Sequence, residues 1–124
     1  MRINFKKETL DTLEYYNKTW EDVKFIQGKD FSIANSKEEF LKLMDFEYDD
    51  GYGAPEIATD LIIVGEDWWL ERHEYDGSEW WEYKELPKLN PCSKSVKYLC
   101  ASQIDKAGWD TLKELNTELL EEVI

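Results

Sequence analysis

The sequence predicts an α+β domain in which an antiparallel β-sheet packs against N-terminal and C-terminal helices. Two patterns predict this fold class. Apolar and polar residues alternate through much of 60–84, and the Asp76-Gly77 pair within this stretch is a strong signal for a tight hairpin turn. Apolar residues three and four apart over 6–17 and 109–123 indicate the two helices.

A chain of 124 residues is expected to form one domain, 1–124. The second helix should begin at a capping box, in which the Ser36 hydroxyl and the Glu39 carboxylate satisfy each other's backbone N–H groups. The predicted elements are a helix 6–17, a hairpin 23–34, a helix 36–44, a loop 46–55, a strand 60–64, a hairpin 68–75 and 78–84, a connector 86–95, a strand 96–101 and a C-terminal helix.

Negative charge is concentrated in the middle of the chain. Thirteen acids and two bases lie between Asp45 and Lys84, so this stretch carries −11 of the net −13, and four tryptophans lie within it. A pI near 4.4 argues against direct binding to nucleic acid or to an anionic membrane, because both need clustered Lys and Arg. A localised negative field beside aromatic rings indicates a surface for a basic partner, or a device for solubility.

The predicted register of the central hairpin assigns its side chains to two faces. A two-residue turn at Asp76-Gly77 places Arg72 opposite Trp81 and Glu71 opposite Glu82. The predicted core face carries Trp68, Leu70, Arg72, Trp81 and Tyr83, with Arg72 stacked on Trp81. The predicted outer face carries Trp69, Glu71, His73, Trp80, Glu82 and Lys84.

Facing carboxylates at Glu71 and Glu82 should cost stability, unless they point apart into water or Lys84 shields them. A cationic partner would relieve the same repulsion. Carboxylates two residues apart on one strand face lie about 6.8 Å apart, which is comparable with phosphate spacing and suggests DNA mimicry. The candidate partner-binding residues are Glu66, Asp67, Trp69, Glu71, His73, Glu74, Asp76, Glu79, Trp80 and Glu82.

The loop after the second helix resembles a calcium-binding loop. Asp45, Glu47, Asp49 and Glu56 occupy the ligand positions 1, 3, 5 and 12 of an EF-hand. Asp50 stands where the sharp turn requires glycine, and a strand rather than a helix is expected to follow the loop. An acidic surface loop without a metal is the favoured interpretation, and calcium binding is kept as an alternative.

Signals for an enzyme are weak in this sequence, so a non-enzymatic protein without a cofactor is expected. His73 is the one histidine of the chain, which excludes a histidine-rich metal site. Glycine-rich phosphate-binding motifs are absent. Cys92 and Cys100 are expected to be reduced, and without an apolar leader or membrane span a cytoplasmic location is expected.

The run from Asp60 to Lys84, DLIIVGEDWWLERHEYDGSEWWEYK, resembles small acidic proteins of phages and prophages of Gram-positive bacteria. The segment DFEYDDGYG at 45–53 fits the same resemblance. No activity is established for that group, so the resemblance implies no catalytic residues. It implies a phage accessory gene, a class that includes inhibitors of CRISPR nucleases and restriction enzymes.

The leading hypothesis is therefore a non-enzymatic protein that blocks the basic nucleic-acid-binding groove of a host protein, such as a CRISPR nuclease. One alternative is an adaptor in phage replication, recombination or morphogenesis that acts through an exposed aromatic strip. The same strip could instead close a homodimer. A further alternative is calcium binding by the 45–56 loop.

Overall fold

The computed structural model describes residues 1–117 and divides the chain into two compact units, Met1–Pro87 and Lys88–Ile124. The α+β fold class is confirmed. The boundary falls within the connector 86–95, although chain length alone suggests one domain. The elements are β1 (Arg2–Asn4), α1 (Phe5–Tyr15), β2 (Phe25–Gln27), α2 (Lys37–Leu43), β3 (Glu47–Asp49), β4 (Ile62–Val64), β5 (Trp68–Tyr75), β6 (Ser78–Glu85) and α3 (Leu112–Leu115).

The main sheet of the first unit has the strand order β2-β4-β5-β6, and all its neighbouring strands are antiparallel. This arrangement confirms the predicted meander over 60–84. β2 comes from earlier in the chain and pairs with β4, with Phe25 opposite Val64. A second, two-stranded sheet joins β1 to β3, with Ile3 opposite Tyr48.

The register of the β5–β6 hairpin agrees with the prediction. Glu71 faces Glu82 and Arg72 faces Trp81. Both turn residues have positive φ, 49° at Asp76 and 87° at Gly77, as a type I′ turn requires. This turn matches the right-handed twist of the two strands, so the local sequence sets which side chains share a face.

The core face of the hairpin packs against α1, as predicted. The Trp81 ring stacks on Phe5 at 5.6 Å between centroids, and its Nε1 donates to the Thr9 hydroxyl at 2.8 Å. Leu13 of α1 and Leu70 of β5 are fully buried in the same core. Burial of these apolar groups is the main stabilisation of the unit.

The predicted hairpin over 23–34 forms only in part. Its first half is β2, but its second half contributes a single bridge from Ser32 to Gln27. The turn between the two halves is fixed by a residue outside the predicted hairpin, because the Asp60 carboxylate accepts a hydrogen bond from the Lys29 N–H at 2.8 Å. β2 therefore finds its main partner in β4, and Asp60 precedes that strand instead of opening it.

The predicted capping box at Ser36 and Glu39 is confirmed, since both of its hydrogen bonds are present. The expected loop 46–55 instead contains β3, which pairs with the N-terminal strand β1. Three-residue strands give no periodic pattern, so this pairing leaves little trace in the sequence.

The second unit contains α3 and a 3₁₀ helix at Ala101–Ile104. The predicted strand 96–101 is wrong. The buried Asn116 side chain accepts from the Lys97 and Tyr98 N–H groups at 2.9 and 3.0 Å, so these donors are not used in a sheet. Trp109 precedes α3 with φ 72° and is fully exposed. The remainder of the predicted C-terminal helix lies outside the described residues.

Candidate functional site

The outer face of the hairpin is partly exposed and holds a hydrogen-bonded network of polar and aromatic side chains. Glu71 is at its centre: its carboxylate accepts from Trp69 Nε1 at 2.7 Å and lies 2.7 Å from His73 Nε2. His73 Nδ1 is 3.5 Å from the Glu82 carboxylate, which also lies 3.5 Å from Lys84 Nζ. One imidazole thus contacts both facing carboxylates.

This network reduces the like-charge repulsion that the sequence predicts between Glu71 and Glu82. The Trp69 indole, aided by His73 and Lys84 and opposed by partial burial, holds the pKa of Glu71 below its usual value. The fold therefore favours the ionised Glu71. Lys84 shields the Glu82 carboxylate from 3.5 Å, so the structure relieves part of the repulsion with its own groups.

The outer face continues across the sheet onto β4 and β2, where it becomes apolar. Val64 lies opposite Trp69 on one side and Phe25 on the other, and Ile62 lies opposite Glu71. Phe25 is 46% exposed. The sheet thus offers an acidic, aromatic half on β5–β6 beside an apolar half on β2–β4.

Glu79 does not belong to this surface. Residues two apart share a strand face, so Glu79 lies on the core side with Trp81. Its side chain is 4% exposed and accepts from the Glu56 N–H at 2.7 Å and the Ile57 N–H at 3.2 Å. We therefore remove Glu79 from the candidate partner-binding residues and assign it a structural role.

Arg72 is the buried cation that Glu79 neutralises. Its guanidinium lies 3.0 Å from Glu79 and 3.2 Å from Glu8, donates to the Tyr48 hydroxyl, and stacks over Trp81 at 4.8 Å from the ring centroid. Burial is the main cause that raises the pKa of Glu8 and also that of Tyr48. Sequence patterns did not indicate Glu8 or Tyr48, because both come from elements distant in the chain.

The hairpin turn meets the acidic 45–56 loop. The Glu79 N–H donates to the Asp50 carbonyl at 2.8 Å, and a Cβ placed on Gly77 would lie 3.6 Å from the Gly51 carbonyl oxygen. This contact places the loop against the turn that carries Asp76, so both segments contribute acids to one end of the unit. Separate stretches of the sequence thus contribute to one surface.

Glu66 and Asp67 lie at the other end of β5, whose eight residues span about 24 Å at the rise of a β-strand. There they line a polar cleft that also contains Lys18 and Lys24. The ten candidate residues therefore do not form one patch. Glu74 and Asp76 belong to the acidic end, and Trp69, Glu71, His73, Trp80 and Glu82 to the outer face.

The four calcium candidates have separate partners. Asp45 accepts from the Asn4 amide, and Glu47 lies 3.9 Å from Arg2. Asp49 binds the N-terminal amine and the Gly51 N–H, and Glu56 accepts from the Asp49 N–H. Within residues 1–117, no three His, Cys, Asp or Glu side chains are placed to hold a metal ion.

Calcium should leave the melting temperature of the protein unchanged. A ligand that binds only the folded state must raise that temperature by mass action, and the 45–56 carboxylates are not gathered around a common point. Differential scanning calorimetry with calcium and with a chelator checks this. A clear rise that Asp45→Ala abolishes would restore the calcium alternative.

No protein-family model, curated protein or solved structure matches this chain. Among residues 1–117, no helix combines the length and the apolar character needed to cross a membrane.

Proposed function

We propose that this chain is a small acidic phage accessory protein that binds and blocks the basic nucleic-acid-binding groove of a host protein. The observation that carries the proposal is the outer face, where Glu71 and Glu82 lie side by side between the partly exposed indole rings of Trp69 and Trp80. Residues 1–87 hold 22 acidic and 10 basic side chains, a net −12, so the surrounding field favours a cationic partner.

The outer face suits lysine and arginine more than it imitates a phosphate track. On the outer face, β5 carries only Glu71 and β6 only Glu82 as acids, so neither strand has a row of carboxylates. Trp80 is 38% exposed and lies two residues from Glu82 on the same face of β6. An arginine of the partner could stack on the Trp80 ring while it pairs with Glu82.

Changing Glu71 and Glu82 together to glutamine should weaken binding to the basic partner at least about tenfold, because two adjacent charges are lost. Stability should change by less than about 1 kcal/mol, since these ion pairs are partly exposed and the glutamine that replaces Glu71 keeps an oxygen for Trp69 Nε1. Calorimetric titration and urea unfolding measure the two effects.

The matched control is the double change Glu14→Gln and Glu38→Gln. It removes the same charge from exposed positions outside the outer face. If both double variants lose equal affinity, only net charge matters and the outer face is not the contact. If the Glu71 and Glu82 variant unfolds, those carboxylates are structural.

Binding should also weaken steeply as salt rises, because charges are screened beyond about 8 Å at physiological ionic strength. A titration repeated from low to high salt checks this. Affinity that does not change with salt would contradict an electrostatic contact.

The apolar half of the outer face favours a second candidate function, an adaptor in phage replication, recombination or morphogenesis. Phe25, which is exposed, and Val64 and Trp69, which are partly buried, form an apolar row across three strands. For that function, Phe25→Ser should abolish binding, whereas the glutamine variant should bind normally. Opposite results support the inhibitor.

A further inference from the structure

A second concave surface lies outside the sheet face, between the end of α2 and the segment 56–61. It is an open groove of about 390 Å³. Phe40, Met44 and Ile57 are buried in its wall, whereas Leu43 at its rim is 58% exposed and Phe46 is 43% exposed. A groove of this size that leaves large apolar side chains in water is typical of a binding site.

The rim of this groove is acidic. Glu47 and Glu56 line the groove, and among the described residues that line it there is no Lys or Arg. The Glu47 side chain is largely exposed, and its contact with Arg2 at 3.9 Å is also exposed. The groove thus offers an apolar interior with carboxylates at its edge.

We propose that this groove receives an apolar anchor side chain of leucine to tryptophan size from a segment of the partner that carries lysine or arginine beside it. The inference rests on the proposed function, because it assigns the apolar contact that a purely charged surface would lack. Buried anchors ringed by polar contacts supply most of the binding energy in protein interfaces.

Charge selects this occupant over a second copy of the chain. Two copies would each bring a net −13, of which residues 1–87 carry −12, so a second copy docked through that unit would bring further acids towards Glu47 and Glu56. Like charges across an interface oppose association. A basic segment would instead be attracted by the Glu47 and Glu56 carboxylates at the rim.

The groove can be tested with short peptides of defined composition. The probe is acetyl-Lys-Lys-Trp-Leu-Lys-Lys-amide, and the comparison peptides replace Trp-Leu by Ser-Gly or all lysines by glutamates. Binding is followed by ¹H–¹⁵N NMR titration of the full chain. We expect the probe to bind, with shifts centred on Leu43, Phe46 and Ala58, and both comparison peptides to bind at least about tenfold more weakly.

Ala58→Trp supplies the decisive variant, because Ala58 lines the groove and is exposed, so a large side chain there fills the groove without entering the core. Ala34→Trp is the matched control at an exposed alanine elsewhere in the same unit. Only the Ala58 variant should lose probe affinity, again at least about tenfold.

Three results would overturn the groove assignment: equal binding of the Ser-Gly peptide, equal affinity of both tryptophan variants, or no probe binding at millimolar peptide. None of them decides the proposed function, which depends on the Glu71 and Glu82 variant. If the host partner still binds the Ala58→Trp variant but no longer binds the Glu71 and Glu82 glutamine variant, the groove assignment is rejected and the proposed function stands.

Discussion

Replacing Arg72 with methionine should destabilise the Met1–Pro87 unit by about 3–5 kcal/mol, because it leaves the Glu8 and Glu79 carboxylates buried without their cation. Methionine keeps much of the apolar stem that packs against Trp81, so the loss reports the charge and its hydrogen bonds. The free energy of unfolding of a typical domain is only about 5–15 kcal/mol, so the midpoint of urea unfolding should fall to a much lower urea concentration.

Arg2→Met is the control, since Arg2 pairs with Glu47 at an exposed site and should change stability by less than about 1 kcal/mol. If Arg72→Met also lowers stability by less than about 1 kcal/mol, the buried cluster around Arg72 is not a major source of stability.

The same variant should respond to pH in a definite direction. Burial raises the pKa of Glu8, and Arg72 opposes that rise, so without Arg72 the pKa should rise further. A carboxyl group whose pKa is higher in the folded state binds its proton more tightly there. The variant should therefore regain stability as pH falls through the folded pKa of Glu8, and a loss over that window would contradict the assignment.

Trp81→Ala should cost about 3–5 kcal/mol, the usual penalty for removing a buried large aromatic side chain. It removes the stacking on Phe5, the hydrogen bond to Thr9 and the ring beneath the Arg72 guanidinium. Urea unfolding of the purified variant measures the loss.

Its neighbour Trp80 provides a control on the opposite strand face. Trp80→Ala should cost much less stability, because the ring is 38% exposed, but it should weaken partner binding. If Trp80→Ala unfolds the protein and Trp81→Ala does not, the two faces of the hairpin have been exchanged.

Sequence reasoning succeeded where structure is local. The Asp76-Gly77 turn and the alternation on both sides determine the register, which in turn determines the faces. The capping box at Ser36 is equally local, since its two hydrogen bonds join residues three apart.

It failed where a side chain's role depends on distant elements. Glu79 looks like one more acid of an acidic hairpin, yet its alternation with Trp81 already places it on the core face. Its partners at Glu56 and Ile57 appear only when the loop folds over the turn, whereas Arg72 is a diagonal neighbour on the same face of the hairpin. The groove was missed for the same reason, because α2, β3 and 56–61 meet only in the folded unit.

Competition with nucleic acid tests the central claim most directly. The host protein captured by this chain is purified, bound to labelled duplex DNA and titrated with the full chain, beside the Glu71 and Glu82 glutamine variant. If the two ligands share one basic groove, the chain should displace the DNA completely and the variant should need at least about tenfold more protein. A stable ternary complex of partner, DNA and this chain would contradict the proposal.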